Sequence, residues 1–203
     1  MQLIILFLTL ISCSVFAEKS FLPAPFSLIA EKTIPAVVAI ETEDAEGSGF
    51  FIEEDGHIMT NSHLLENASF IHVITHDKQI FSAQIVKLDL KTDLAVLKVE
   101  GSGFSYLTFG KPDELKIGDC VLSIGYRNSG EIGKVRVTGI DHIGLFRTEN
   151  YIKTSAFIVL GDSGGPLLND KGEVIGINTA ALIDKEGKYL GESLAISSKL
   201  AKR

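Results

Sequence analysis

Short runs of alternating apolar and polar residues fill most of the chain, and glycine-containing turns separate them. Alternation with a period of two is typical of strands that bury one face. The first run begins at Pro35, and later runs recur at roughly 8–12-residue spacing. The pattern predicts twelve strands, over residues 35–42, 48–53, 57–60, 70–75, 79–88, 95–100, 120–125, 133–143, 151–154, 165–168, 174–180 and 193–196.

Turn chemistry supports this division of the chain. Asp55-Gly56 and Gly172 each stand between two predicted strands, as in β-hairpins. The longest break falls over residues 101–119. Many short strands with regular turns predict an all-β barrel or sandwich. The break divides it into two lobes of similar size, about residues 35–108 and 115–203.

The chain begins with seventeen residues that carry no charged side chain. Their apolar run has the length of a signal-peptide core and is short for a membrane span. We expect cleavage after Ala17 and a periplasmic or secreted protein, although no Lys or Arg precedes the core. Two alternatives stay open: a lipoprotein whose N-terminus is Cys13, in a lipobox-like "LISC", and an uncleaved anchor. Residues 18–34 are expected to form an arm with one short helix, for which Ser27 is a candidate cap.

Charge and cysteine content narrow the function classes. The net charge of −7 argues against a nucleic-acid partner, because phosphate binding needs clustered Lys and Arg. Once Cys13 is removed with the leader, Cys120 is alone, so no intramolecular disulfide is expected. Its apolar surroundings in "IGDCVLSIG" predict a buried side chain. His72 and His76 have no third ligand near them in sequence, so we expect no metal and no cofactor.

The segment "GDSGG" is either a glycine-rich turn or the surroundings of a nucleophilic serine. A serine nucleophile needs a base, a carboxylate that orients the base, and N–H groups that face the oxyanion. His63 follows a predicted strand, Asp93 precedes another, and Ser163 lies in the second lobe. The order His, Asp, Ser is that of chymotrypsin-type proteases. It predicts a site in the cleft between the lobes.

Taken together, these motifs resemble the trypsin-like protease domain of the HtrA (Deg) family over about residues 34–200. The matching segments are "PAVVAI", "GSGFFIEEDGHIMTNSHLL", "KTDLAVLKV", "IGDCVLSIG", "GDSGGPLLNDKGEVIGINTAAL" and "LAISS". The resemblance implies two six-stranded antiparallel β-barrels. It also implies that His63 is the general base, that Asp93 orients it and that Ser163 attacks. The N–H groups of Gly161 and Ser163, with that of Asp162 as a third candidate, would form the oxyanion hole.

The resemblance further implies a serine endopeptidase that cleaves unfolded polypeptides through an acyl-enzyme. Relatives often form trimers through the segment before the first barrel, where Phe21 and Phe26 are candidate contacts. A membrane contact is expected only through Cys13 or a retained leader. An uncharged substrate pocket is expected, with cleavage after Val, Ala or Ile. Its candidate walls are Phe157, Ile158, Ile177, Ala180 and Ala195.

Several positions depart from the family pattern. Asp162 stands where Asn is usual, and Ser155 stands where Asp is frequent. Val159-Leu160 replace a polar pair before the nucleophile, and β-branched Val favours extended backbone. We therefore expect an oxyanion hole that is poorly formed at rest. The sequence ends at Arg203, so we expect no PDZ domain after the protease domain.

Two other classes compete with an active protease. One is a protease fold without activity that binds unfolded polypeptides. The other is a β-barrel carrier of small ligands, which is disfavoured because such a barrel has no need of "GDSGG".

Overall fold

The computed structural model describes residues 24–126, 132–141, 151–156 and 158–201. The predicted leader, with Cys13, lies outside the described residues, and so do Phe21 of the predicted arm and Phe157 of the predicted pocket. Within the described part of the chain, no helix is long and apolar enough to span a membrane.

Helix α1, Ala24–Thr33, is the short helix predicted for the N-terminal arm. It begins before Ser27, so Ser27 is not its cap. Phe26 and Ala30 are buried and pack in a core cluster that both lobes share. Phe26 is therefore a core residue of this chain, and its burial gives no support to the predicted role as a subunit contact, which stays a prediction.

The first lobe is a closed barrel with the strand order β1-β2-β3-β6-β5-β4, in which all neighbours are antiparallel. Adjacent residues of its strands face opposite sides: Phe51 packs inside the barrel, and Phe50 packs in the cluster shared with the second lobe. The strands are β1 Val37–Glu41, β2 Glu46–Phe51, β3 His57–Thr60, β4 His72–Ile74, β5 Ile80–Asp89 and β6 Leu94–Val99.

The second lobe is a closed antiparallel barrel with the order β10-β11-β12-β9-β8-β7. Val121, Ile152 and Ile175 are fully buried in its interior. Cys120, the first residue of β7, is free but only partly buried, contrary to prediction, because it lies at the strand end. The elements are β7 Cys120–Ile124, β8 Ile132–Asp141, β9 Tyr151–Thr154, β10 Pro166–Leu168, β11 Val174–Ile183, β12 Tyr189–Ser197 and a final helical turn α2, Ser198–Ala201.

The predicted fold class is confirmed, since two closed six-stranded antiparallel barrels are present. The shared core cluster joins them through side chains of both lobes. Phe50 and Met59 come from the first barrel, and Leu122 and Ile196 come from the second. This apolar contact fixes the lobes side by side and places the end of β3 next to the loop before β10.

Candidate active site

His63 lies in a short 3-10 helix, Ser62–Leu65, that begins directly after β3. Its side chain is 45% exposed. Its Nδ1 lies 2.8 Å from Asp93 Oδ2 and 3.0 Å from Asp93 Oδ1. The backbone N–H of His63 also donates to Asp93 Oδ1, at 3.0 Å. One carboxylate therefore holds both the ring and the backbone of this histidine.

Asp93 precedes β6 with φ of +55°, a left-handed conformation that is uncommon for a residue with a side chain. Contacts to the chain around His63 hold it there. The Asn61 side-chain amide donates to the Asp93 carbonyl at 2.8 Å, and the Ser62 hydroxyl donates to the Asp93 carboxylate at 3.1 Å. These bonds orient the carboxylate toward the imidazole.

Burial of the Asp93 carboxyl acts to raise its pKa, but the hydrogen bond and charge of His63 act in the opposite direction. With further help from the His63 N–H and the Thr179 hydroxyl, they hold the pKa of Asp93 below its ordinary value of 3.8. Asp93 is therefore ionised at neutral pH and binds a ring N–H at Nδ1. That leaves Nε2 of a neutral His63 free to accept a proton.

Thr179 in β11 is a member of the site that the sequence interpretation missed. Its hydroxyl donates to Asp93 Oδ2 at 2.9 Å, and this bond connects the second barrel to the carboxylate of the first. Thr179 lies in the segment "GINTAA", which is part of a stretch that matches the family pattern. The sequence interpretation used that segment only for pocket walls.

Ser163 lies in the loop before β10, and its hydroxyl donates to the backbone carbonyl of Thr179 at 3.1 Å. Among the described residues, no hydrogen bond joins Ser163 to His63. The structure therefore brings His63 and Asp93 into direct contact, and it connects Ser163 to them through Thr179.

The loop ahead of Ser163 forms a β-turn. The Asp162 N–H donates to the Val159 carbonyl at 3.0 Å, and the Val159 N–H donates to the Asp162 side chain at 3.0 Å. Gly161 has φ of +99°, as a type II turn requires at its third position. Val159 is the first residue of this turn, and the Asp162 side chain holds its N–H.

This turn distinguishes the three candidate oxyanion donors. The Asp162 N–H is bonded within the turn, so in this conformation it is not available to a ligand. The N–H groups of Gly161 and Ser163 make no hydrogen bond to the described part of the chain. Gly161 and Ser163 are therefore the two donors that remain.

Two glycines after Ser163 allow close backbone packing. A Cβ at Gly164 would clash with the Ser48 carbonyl and the Thr60 hydroxyl, and Gly164 has φ of +87°. A Cβ at Gly165 would clash with the Ile124 carbonyl. The two glycines behind the nucleophile are thus required by close contacts, Gly164 with the first lobe and Gly165 with the second.

Not all of the predicted pocket residues reach a surface. Ile177 and Ala195 are fully buried and pack in core clusters, because their side chains point toward the interior of the fold. Ile158 is also buried, at 4% exposed, and packs in the same cluster as Ala195, whereas Ala180 is partly exposed. Ala180 is thus the described candidate that is most accessible to a ligand.

One group in the described residues has metal-ligand types within reach of each other: Glu53, Asp55 and His57, at the β2–β3 hairpin. These side chains already interact, since Asp55 Oδ1 lies 2.7 Å from His57 Nδ1. The Lys98 ammonium also donates to the Asp55 carbonyl oxygen at 2.9 Å, and a nearby cation opposes metal binding. The cluster lies at the hairpin end of β3, opposite the end that leads to His63.

Comparisons with known proteins agree with this geometry. Residues 47–177 match the trypsin-like peptidase domain model. A probable periplasmic serine endoprotease, DegP-like, of Chlamydia trachomatis serovar D is 42% identical over 167 residues, which are 80% of this chain and 33% of the relative. A putative serine protease HhoB of Synechocystis sp. is 36% identical over 163 residues, covering 77% of this chain and 39% of the relative.

Solved structures give the same result. The HtrA-type protease AlgW with a tripeptide has a TM-score of 0.81 at 32% identity, over 89% of this chain and 62% of that one. AlgW with a decapeptide has a TM-score of 0.78 at 28% identity, over 87% and 65%. This chain spans about a third of the length of the DegP-like relative. Barrels, site and sequence agree, and the chain belongs to the trypsin-like peptidase domain family, as a homologue of the HtrA/DegP serine proteases.

Proposed function

We propose that this protein is a serine endopeptidase that cleaves polypeptides through an acyl-enzyme. The observation that carries the proposal is the contact of His63 with Asp93, at 2.8 Å. The Ser163 hydroxyl lies beside this pair, since it donates to the Thr179 carbonyl while the Thr179 hydroxyl donates to Asp93. Nucleophilic catalysis by serine needs this set of groups: a base, an orienting carboxylate and an accessible hydroxyl.

The reaction begins when the Ser163 hydroxyl leaves the Thr179 carbonyl and turns to His63. Nε2 of His63 takes the hydroxyl proton as Oγ bonds to the substrate carbonyl carbon, and the carbonyl electron pair moves to its oxygen. The N–H groups of Gly161 and Ser163 stabilise that oxyanion. His63 then gives its proton to the leaving amine as the peptide bond breaks. Water hydrolyses the acyl-enzyme by the same steps, and Ser163 regains its proton.

The substrates we propose are unfolded polypeptides that present small or medium aliphatic residues. Ile158 and Ala180 carry no charge, and an Arg-selective pocket would need a buried carboxylate to pair the guanidinium. A library of peptides that differ at the residue before the cut tests this. We expect Val, Ala and Ile to be preferred, and a profile dominated by Arg or Lys contradicts it.

The names of the relatives support an exported compartment, and we propose a periplasmic or secreted protein that is released from its leader or anchored at Cys13. A trimer remains a proposal, and Phe26 does not support it because that side chain is buried. Light scattering of the purified chain measures its mass directly.

A second function deserves a test because Ser163 is bonded to Thr179 and not to His63. In this alternative the fold binds unfolded chains without cutting them. Casein is incubated with the wild type and with Ser163→Ala, while binding is followed separately. Cleavage by the wild type alone supports the endopeptidase, whereas equal binding with no cleavage by either protein supports the binding module.

A further inference from the structure

Ser48 in β2 connects the first barrel to the loop that carries the nucleophile. Its side chain is fully buried. Its hydroxyl donates to the Gly161 carbonyl at 2.5 Å and accepts the Tyr126 N–H at 2.7 Å. Its own N–H donates to the Ser163 carbonyl at 2.7 Å. Ser48 therefore bonds to the loop on both sides of Asp162.

The bonded carbonyls lie next to the proposed oxyanion donors. The Gly161 carbonyl belongs to the peptide between Gly161 and Asp162, and this peptide separates the two that carry the Gly161 and Ser163 N–H groups. The two flanking peptides are joined to the middle one at the Cα atoms of Gly161 and Asp162, so the middle peptide sets the positions from which both N–H groups are directed. A hydrogen bond that holds the middle peptide therefore limits the turn conformations in which the Gly161 and Ser163 N–H groups face the same point.

We propose that the Ser48 hydroxyl is a positioning group that holds the oxyanion turn in its working conformation. The proposal rests on the function proposed above. Ser48 is not catalytic, because it is buried and acts through Gly161. The Tyr126 N–H supports this hydrogen bond. It donates to the Ser48 oxygen, so the hydroxyl proton is left to donate to the Gly161 carbonyl.

A simpler alternative is that the hydroxyl only satisfies a buried carbonyl and stabilises the fold. The two roles differ in what the loss of the hydroxyl changes. Loss of stability alone lowers the folded fraction and leaves each folded molecule with its normal rate. Loss of positioning lowers kcat and the affinity for ligands that carry an oxyanion, while the affinity for ordinary peptides is retained.

The test compares the wild type with Ser48→Ala, with folded fractions measured by circular dichroism. We expect kcat for an aliphatic peptide substrate to fall about 10–100-fold, less than the 10²–10³ cost of losing an oxyanion donor outright. KM should change by less than about twofold, since substrate binding in the ground state does not use the oxyanion. The affinity for a peptide boronic acid should fall by a factor similar to that of kcat, and the affinity for the amine product of cleavage, whose new end carries no oxyanion, should not.

Thr33→Val is the matched control, because the buried Thr33 hydroxyl also donates to a backbone carbonyl, that of Ile29, and lies at the end of α1. It should lower the melting temperature and leave kcat unchanged. If Ser48→Ala does not fold, Ser48→Cys retains a side chain of similar shape with a weak donor, and kcat should still fall.

A folded Ser48→Ala or Ser48→Cys protein with kcat within twofold of the wild type overturns the proposal. Equal losses of affinity for the boronic acid and for the amine product also overturn it. A wild type that neither cuts casein nor reacts with a serine-directed phosphonate overturns the proposed function, and this inference with it. If the wild type is active and the substitutions of Ser48 leave kcat unchanged, only this inference is overturned.

Discussion

The Ser163 hydroxyl donates to the carbonyl of Thr179 at 3.1 Å, and the Thr179 hydroxyl in turn donates to Asp93 at 2.9 Å. One residue of β11 therefore contacts both the proposed nucleophile and the carboxylate that orients the proposed base. In this arrangement the Ser163 hydroxyl must exchange its partner before it can attack.

This exchange predicts that a bound peptide accelerates the reaction of Ser163. A peptide whose N–H donates to the Thr179 carbonyl competes with the Ser163 hydroxyl, and it favours the rotamer directed at His63. The rate of phosphonate labelling is measured without and with a short apolar peptide that is not cleaved. We expect the rate to rise with peptide concentration and to saturate. A rate that is already high and does not respond contradicts the prediction.

Asp93→Asn should lower kcat by a factor on the order of 10⁴, because the amide no longer favours the tautomer with a proton on Nδ1. The fold should be retained, since Asn keeps the size of the side chain. Asp55→Asn is the matched control, because Asp55 also bonds a histidine, His57, at 2.7 Å but lies at the β2–β3 hairpin. Equal losses of kcat in the two variants would show that Asp93 has no special role.

Activity should be low at acid pH and rise as the pH increases toward neutral, because only a neutral His63 accepts the Ser163 proton. The measurement is the pH dependence of kcat/KM for an aliphatic peptide. A flat profile from acid to neutral pH argues against a histidine base.

Asp93 should also contribute to stability in a pH-dependent way. Its folded pKa lies below the ordinary 3.8, so its contribution is present above pH 3.8 and is lost as the pH falls through the lower folded value. Melting temperatures of the wild type and Asp93→Asn are compared from neutral to acidic pH. The difference should shrink below about pH 4, and a difference that grows there has the wrong sign.

Leu160 is 95% exposed and directly precedes Gly161 in the oxyanion turn. An apolar side chain at this place gains cover when an extended substrate binds beside the turn. Leu160→Ala should therefore raise KM several-fold with a small effect on kcat. Leu190→Ala is the control, because Leu190 is also exposed, at 57%, but lies on β12. A loss of kcat with an unchanged KM would contradict this prediction and show that Leu160 acts by shaping the turn.

Local sequence patterns predicted most of the fold. Strand alternation depends on neighbouring residues, so all twelve predicted strands have counterparts in the structure. The faces of single residues were harder to predict. Ile177 and Ala195 were assigned to a pocket but are core residues, whereas Val86 and Leu88 of β5 are apolar and exposed. An apolar side chain alone does not show whether its side of a barrel strand packs in a core or faces solvent.

The proposed site was only partly predictable for a related reason. His63, Asp93 and Ser163 each stand in a recognisable segment, so their chemistry could be inferred from residue type and order. Ser48 and Gly161 are 113 positions apart, and their contact depends on how the two barrels pack. The rotamer of Ser163 is likewise set by Thr179, through a bond that has no sequence signature.

The central claim is that Ser163 is a nucleophile activated by His63, and covalent labelling tests it most directly. The wild type, Ser163→Ala and His63→Ala are incubated with a serine-directed phosphonate in the presence of an apolar peptide, and their intact masses are measured. We predict one adduct on the wild type, located at Ser163 by peptide mapping, none on Ser163→Ala and far slower labelling of His63→Ala. A wild type that cuts casein but is modified elsewhere, or is labelled as fast without His63, would contradict the account.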